Sequence, residues 1–132
     1  MLILDVKRFL KEEQNEDQEI RENYLLVCAW YHTLCERNEP AVIAYLNQAE
    51  QLQNQRSQPD LEWIDEFLIP AANMMLELRN GEAAVSWLEE GLRRCCGHPE
   101  ELPYIRKKQD LLQYEMEVYE LMEKEERKDR CT

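Results

Sequence analysis

Two stretches of this chain repeat one sequence design at a constant offset of 42 residues. The segment 38–49 (NEPAVIAYLNQA) aligns with 80–91 (NGEAAVSWLEEG). The same offset continues upstream and pairs Leu26 with Leu68, Val27 with Ile69, Ala29 with Ala71, Leu34 with Leu76, and Arg37-Asn38 with Arg79-Asn80. A period of this length is typical of helical solenoids, whose units bury their apolar faces only by stacking.

Each repeat has the apolar periodicity of a pair of helices. From Asp17 to about Arg37, apolar side chains recur at intervals of three and four residues, which is the helical period. These are Ile20, Tyr24, Val27, Tyr31 and Leu34. A second stripe of Leu26, Ala29, Trp30 and Thr33 on the same helix predicts that it packs on both sides. We predict repeat 1 over about 20–55 and repeat 2 over about 62–96, with no strands.

The segments outside the repeats are also predicted to be helical, within one domain over 1–132. Residues 1–13 predict a short N-terminal helix, which the polar run 14–17 interrupts. Residues from about 100 to 128 predict a long C-terminal helix that caps the repeats. Pro70 lies inside a helix and is expected to kink it, because it lacks a backbone donor and crowds the preceding turn.

The second repeat resembles a tetratricopeptide repeat. Ala84 and Gly91 stand where that family has small residues, Trp87 and Leu88 stand at its bulky positions, and Ala71-Ala72 resembles the small contact of the first helix. The resemblance implies an all-α fold, a right-handed α-α superhelix of two helical hairpins. The period exceeds the usual 34 residues, the linker over 53–60 is long, and Pro70 is unusual for the family.

In this family the first helices of successive hairpins line a concave groove that holds a peptide. Asn73 matches an asparagine that commonly grips the backbone of the bound peptide. The set contains no lysine or arginine, so capture of a free carboxylate is not expected. The resemblance places the groove at Tyr24, Val27, Tyr31, Leu34, Glu66, Ile69, Asn73 and Leu76.

Two coverings of this apolar groove are open, since a large apolar patch is rarely left bare. The chain's own C-terminal helix could lie in it through Leu112, Val118, Tyr119 and Met122. Alternatively, an amphipathic helix of a partner protein, or of a second copy of this chain, occupies it.

Cysteine and histidine form two groups that are weak candidates for a metal site. Thiolate and imidazole are ligands that zinc prefers, but neither group has the paired spacing of a closed zinc site. Small buried side chains are the alternative interpretation of the cysteines. The groups are Cys28, His32 and Cys35 on one helix face, and Cys95, Cys96 and His98 at a helix end.

Charge and composition favour a protein partner in the cytoplasm. The 28 acidic and 16 basic residues give a formal charge of −12, which disfavours nucleic acid and anionic membranes. The apolar run 1–4 is too short for a signal peptide, and five cysteines, an odd number, fit reduced thiols. No catalytic motif is present, so we expect neither an enzyme nor a cofactor.

These observations predict a protein–protein interaction module or adaptor that binds a partner peptide or helix in an apolar groove, with regulation as one role open to it. Three alternatives stay open. One is a small helical chaperone that resembles those of type III secretion, and another is a homo-oligomeric structural protein whose C-terminal helices pair. A metal or thiol sensor is the third.

Overall fold

The structure, a computed structural model, describes the backbone of residues 3–55 and 58–131 and the side chains of 17–55 and 58–128. Every regular element in these ranges is helical, which confirms the predicted all-α fold. The contacts divide the chain into two compact units, Met1–Ser57 and Gln58–Thr132. None of the described helices combines the length and the apolar composition that a membrane span requires.

Unit 1 is a hairpin of two long helices. Helix α1 spans Ile3–Tyr31 and continues through a π-helical turn, His32–Glu36, and helix α2 spans Glu39–Asn54. The predicted interruption at 14–17 is wrong, because α1 runs through these residues without a break. The run contains neither glycine nor proline, and Gln, Asn, Glu and Asp each cost less than about 0.7 kcal/mol in a helix.

The side chains that unit 1 buries within residues 17–55 are mostly small. Ala29 and Thr33 of α1 are buried together with Val42, Leu46 and Ala49 of α2. These residues confirm one side of the predicted double-faced helix. Glu22 of α1 is also buried, and its Oε2 accepts a hydrogen bond of 3.3 Å from Gln53 Nε2 of α2.

Unit 2 begins with a helical segment that changes its winding before a proline. Helix α3 spans Asp60–Trp63, a π-helical turn follows over Ile64–Leu68, and helix α4 spans Ile69–Glu77. Ile69 N–H donates to the Ile64 carbonyl, five residues back. Pro70 has no N–H to donate to the carbonyl four residues back, and its ring crowds that carbonyl. A wider turn next to the proline accommodates both effects.

Two further helices complete unit 2. Helix α5 spans Gly81–Cys96 and helix α6 spans Leu102–Cys131. Gly91 lies where an added Cβ would stand 3.0 Å from Leu111 of α6 and 3.0 Å from Leu68, so glycine permits the close approach of these elements. The core of unit 2 contains large side chains, namely Trp63, Ile64, Phe67, Leu68, Met74, Met75, Leu88, Leu111 and Val118.

The turns inside the two hairpins have the same geometry at equivalent repeat positions. Arg37 and Arg79 both adopt the left-handed conformation, with φ of 50° and 59°. Asn38 Oδ1 accepts a hydrogen bond from Ala41 N, and Asn80 Oδ1 accepts one from Ala83 N. Each asparagine therefore caps the helix that follows it. The predicted superhelical arrangement and the single domain stay predictions.

Candidate protein-binding surface

One face of α1 carries a row of apolar side chains that unit 1 leaves exposed. We call Ile20, Tyr24, Val27, Tyr31 and Leu34 the α1 stripe. Their exposed fractions lie between 54% and 66%, although the opposite face of the helix is packed on α2. The double-sided periodicity predicted packing on both faces, but only one is covered. A contiguous apolar row of this kind is rarely left bare on the surface of a monomeric protein.

The centre of the α1 stripe is free of charge. Residues 23–35 contain no Asp, Glu, Lys or Arg in a chain whose formal charge is −12. The nearest charged residues in the sequence are Glu22, whose side chain is buried, and Glu36. A partner can therefore cover the stripe without removing a charge from water, which is the most expensive part of forming many interfaces.

A cleft between α1 and α2 adjoins the stripe at Tyr24. Its volume is about 340 Å³. Arg21 lines the cleft, although the predicted groove contained no cation. Two glutamines of α2 and the one that follows its last residue also line it, at a spacing that places them on one helix face. That spacing was the available signal in the sequence. The lining residues are Arg21, Tyr24, Leu25, Gln48, Gln51, Leu52 and Gln55.

The other half of the predicted groove lies in unit 2, and most of its side chains are less exposed than those of the α1 stripe. Glu66 is exposed, whereas Ile69, Asn73 and Leu76 are half-buried. Asn73 Oδ1 accepts a hydrogen bond from the hydroxyl of Tyr114 in α6. Burial, and to a lesser extent the charge of Glu117, raises the pKa of Tyr114, so the hydroxyl stays protonated and donates. The carbonyl oxygen expected to serve a bound peptide is used by the chain's own last helix.

Helix α6 packs on the other helices of unit 2. At two of the four predicted positions, the buried residue is the neighbour of the predicted one. Leu111 is buried and its neighbour Leu112 is exposed, and Val118 is buried while Tyr119 is exposed. Met122 is half-buried and lies against Gly81, where an added Cβ would stand 2.5 Å from Met122 Cγ. The prediction combined residues from two adjacent faces, because α6 is apolar over a wide arc.

The candidate ligands on α1 have other contacts. His32 stacks on Tyr45 with ring centroids 5.3 Å apart, and its Nδ1 lies 2.5 Å from Glu36 Oε2. Cys28 is half-buried and Cys35 is exposed. A side-chain hydrogen bond to Cys28 is the main reason that the pKa of Tyr24 is raised, so this phenol remains neutral at physiological pH.

The second candidate group belongs to a structural cluster in unit 2. Cys95 is buried, which raises the pKa of its thiol, whereas Cys96 is exposed. His98 Nε2 lies 2.9 Å from Asp60 Oδ2, and its Nδ1 hydrogen-bonds Glu101 Oε2. Within the described part of the chain, no three His, Cys, Asp or Glu side chains form a group that could hold a metal ion.

The Asp60 cluster, formed by Asp60, Arg94, His98 and Tyr104, joins three segments of unit 2. The Tyr104 hydroxyl accepts a hydrogen bond of 3.1 Å from Leu61 N in the first turn of α3. Arg94 lies 3.5 Å above the Trp63 ring and 3.3 Å from Asp60 Oδ1. Every polar group of the cluster has a partner inside unit 2, so its geometry indicates a structural role.

Comparison with protein-family models, with curated proteins and with solved structures gave no match to this chain.

Proposed function

We propose that this protein is a non-enzymatic protein–protein interaction module that binds an amphipathic helix of a partner on the α1 stripe. The observation that carries the proposal is the exposure of five large apolar side chains in one row. Covering the exposed half of a side chain of this size contributes about 1 kcal/mol. Five such side chains contribute about 5 kcal/mol before the entropic cost of association is subtracted.

The spacing of the stripe favours a helix as the bound element. Its residues are separated by four, three, four and three positions, which is the alternation found at the seam of coiled coils. A partner helix with the same alternation places its apolar side chains between those of α1. Arg21, at one end of the seam, offers a guanidinium to an acidic residue of that helix.

The packing between α1 and α2 over the described residues 17–55 supports the same proposal. The side chains buried there are mainly alanine, valine, threonine and a leucine, which provide little apolar area. A third helix on the α1 stripe would give unit 1 a second apolar layer. The free thiols of Cys28, Cys35 and Cys96 support a cytoplasmic location for this complex.

A photo-cross-linking amino acid at Val27 tests the proposal in cells. We expect cross-links between Val27 and a helical segment of a partner, identified by mass spectrometry. The same amino acid at Asn47, an exposed residue of α2, is the matched control and should give no such product. The double variant Val27→Glu/Tyr31→Glu should abolish binding of the identified segment to purified protein, and circular dichroism should show an unchanged fold. Binding that survives this double variant would exclude the α1 stripe as the site.

A further inference from the structure

A second apolar row is exposed on unit 2, on the face of α6 that is turned away from the core. We call Leu102, Ile105, Leu112, Met116 and Tyr119 the α6 stripe. Their exposed fractions lie between 39% and 59%. Together with Gln109 they follow one another at steps of three and four residues over 18 positions, or about 27 Å of helix. Tyr104, Leu111 and Val118 hold the other face of α6 against unit 2.

The spacing of the α6 stripe is symmetric about its midpoint, so two copies of the stripe can align in opposite directions. When two copies of α6 run antiparallel, Leu102 lies opposite Tyr119 of the second copy and Ile105 lies opposite Met116. Gln109 then lies opposite Leu112, on each side of the two-fold axis. Each of these six positions, Gln109 included, therefore faces another of the six in the second copy. A polar residue at one seam position lowers stability but fixes the register, as in coiled coils.

The charges beside the stripe favour this orientation. In the antiparallel register, Lys108 flanks the seam opposite Glu115 of the second copy, and symmetry repeats the pair. In a parallel pair with equal register, Glu115 would instead face Glu120 of the other copy, which is repulsive. Lys108 is exposed and has no ion pair among the described residues.

A nearby cation would stabilise the charged carboxylate of Glu115. Glu115 is half-buried, and burial followed by the charge of Glu89 raises its pKa. No cation of the described part of unit 2 forms an ion pair with it. A lysine of a second copy beside this carboxylate would favour its charged form and so oppose both effects.

We propose that the α6 stripe is the interface of a symmetric homodimer in which two α6 helices pair antiparallel and Lys108 of each copy contacts Glu115 of the other. The interface uses residues 102–119 of unit 2, none of which belongs to the α1 stripe. The chain is then a dimer that presents two copies of its partner-binding helix.

Sedimentation velocity over a concentration series up to about 1 mM tests the dimer. We expect reversible dimerisation, and we expect Ile105→Glu/Leu112→Glu to raise the dissociation constant by about 100-fold or more. Leu121→Glu is the matched control, because Leu121 is an exposed apolar residue of α6 outside the stripe, and it should leave the constant unchanged. A wild-type chain that stays monomeric overturns the proposal. Dissociation by Val27→Glu, with no effect of the α6 double variant, also overturns it, since the α1 stripe would then be the interface.

Charge exchange and isotope-coded cross-linking test the orientation. Lys108→Glu and Glu115→Lys should each weaken the dimer, and the double exchange should restore most of the affinity. A zero-length carboxylate–amine reagent applied to mixed light and heavy protein should join Lys108 of one isotope to Glu115 of the other. Additive weakening in the double exchange, or cross-links only between residues of one isotope, would contradict the antiparallel pair. Circular dichroism of each variant separates loss of pairing from loss of fold.

Discussion

His98 joins the end of one helix to the beginnings of two others in unit 2. Its two ring nitrogens contact Asp60 and Glu101, and its ring stacks on Tyr104 with centroids 3.8 Å apart. The hydrogen bond to Asp60 is the main reason that the pKa of His98 is raised, and it outweighs the partial burial that acts in the opposite direction. The protonated ring is thus favoured in the folded chain.

We predict that this histidine makes the stability of unit 2 depend on pH above about 6.5, the ordinary histidine pKa. Because the folded pKa is the higher one, the stabilising contribution is complete below the unfolded value. It is lost as pH rises through the folded value. Urea unfolding between about pH 5.5 and 8 measures this dependence, and NMR titration of His98 gives the folded pKa directly.

Asp60→Asn should lower the pKa of His98 and flatten the pH dependence in this range. Glu62→Gln is the matched control, because Glu62 lies in the same turn and forms no contact with His98. A His98 pKa that stays at its ordinary value in the unmodified chain would contradict the assigned role of Asp60.

At the scale of the element, the helix caps are the point at which the two repeats agree most closely in structure. Asn38 and Asn80 each follow an arginine in the left-handed conformation and each cap the next helix. We predict that Asn38→Ala destabilises unit 1 and that Asn80→Ala destabilises unit 2, each by about 1 kcal/mol. Denaturant unfolding, monitored by probes within each unit, measures the two losses.

The control for the caps is Asn47→Ala on α2, because Asn47 is exposed in the interior of the helix. Alanine there should raise stability by a few tenths of a kcal/mol through helix propensity. An equal effect of alanine at all three asparagines would mean that the caps contribute nothing specific.

Gly91 determines how closely α5 approaches its neighbours. Alanine at this position gains helix propensity but meets Leu68 and Leu111 at 3.0 Å, so the two effects of Gly91→Ala oppose each other. Gly91→Val adds two more methyl groups to an occupied space. We predict that it lowers the free energy of unfolding by about 1–3 kcal/mol. Glu89→Val, two residues earlier on an exposed face, should have a much smaller effect.

The outcome for the helices shows what periodicity and punctuation can predict. The Arg-Asn turns, the glycine at 81 and the proline at 59 mark real boundaries, because caps and breakers act locally. The run 14–17 does not end α1, since polarity alone is no breaker. The π-helical turn before Pro70 was not predicted, because proline indicates a distortion and not its form.

The candidate surface was predicted only in part for a similar reason. Periodicity identified Tyr24, Val27, Tyr31 and Leu34 as one apolar row, and the family resemblance assigned them to a groove. These side chains are exposed. Periodicity could not show that Arg21 and three glutamines line a cleft beside them, since that depends on how α2 packs on α1. It also could not decide whether Leu111 or Leu112 turns inward, because adjacent apolar residues on a wide face are equivalent until a neighbouring helix covers one of them.

At the scale of the whole molecule, the described parts of the two units bury side chains of different sizes. Unit 2 buries Trp63, Phe67 and two methionines among many aliphatic side chains, whereas the largest fully buried side chain within residues 17–55 of unit 1 is Leu46. Buried apolar area is the main favourable term in folding. The free energy of local unfolding should therefore differ between the two units, as it does between separate cooperative segments.

We predict that hydrogen exchange of the full chain detects this difference. Amides of α2 around Leu46 should exchange at least about tenfold faster than those of α5 around Leu88, although both helices are capped alike and each buries one face. Partner binding on the α1 stripe would slow exchange in α2 without slowing it in α5, because the added apolar layer belongs to unit 1 alone. Equal protection of α2 and α5 in the free chain would show that the units open as one. The small side chains buried between α1 and α2 would then no longer support the inference that a partner stabilises unit 1.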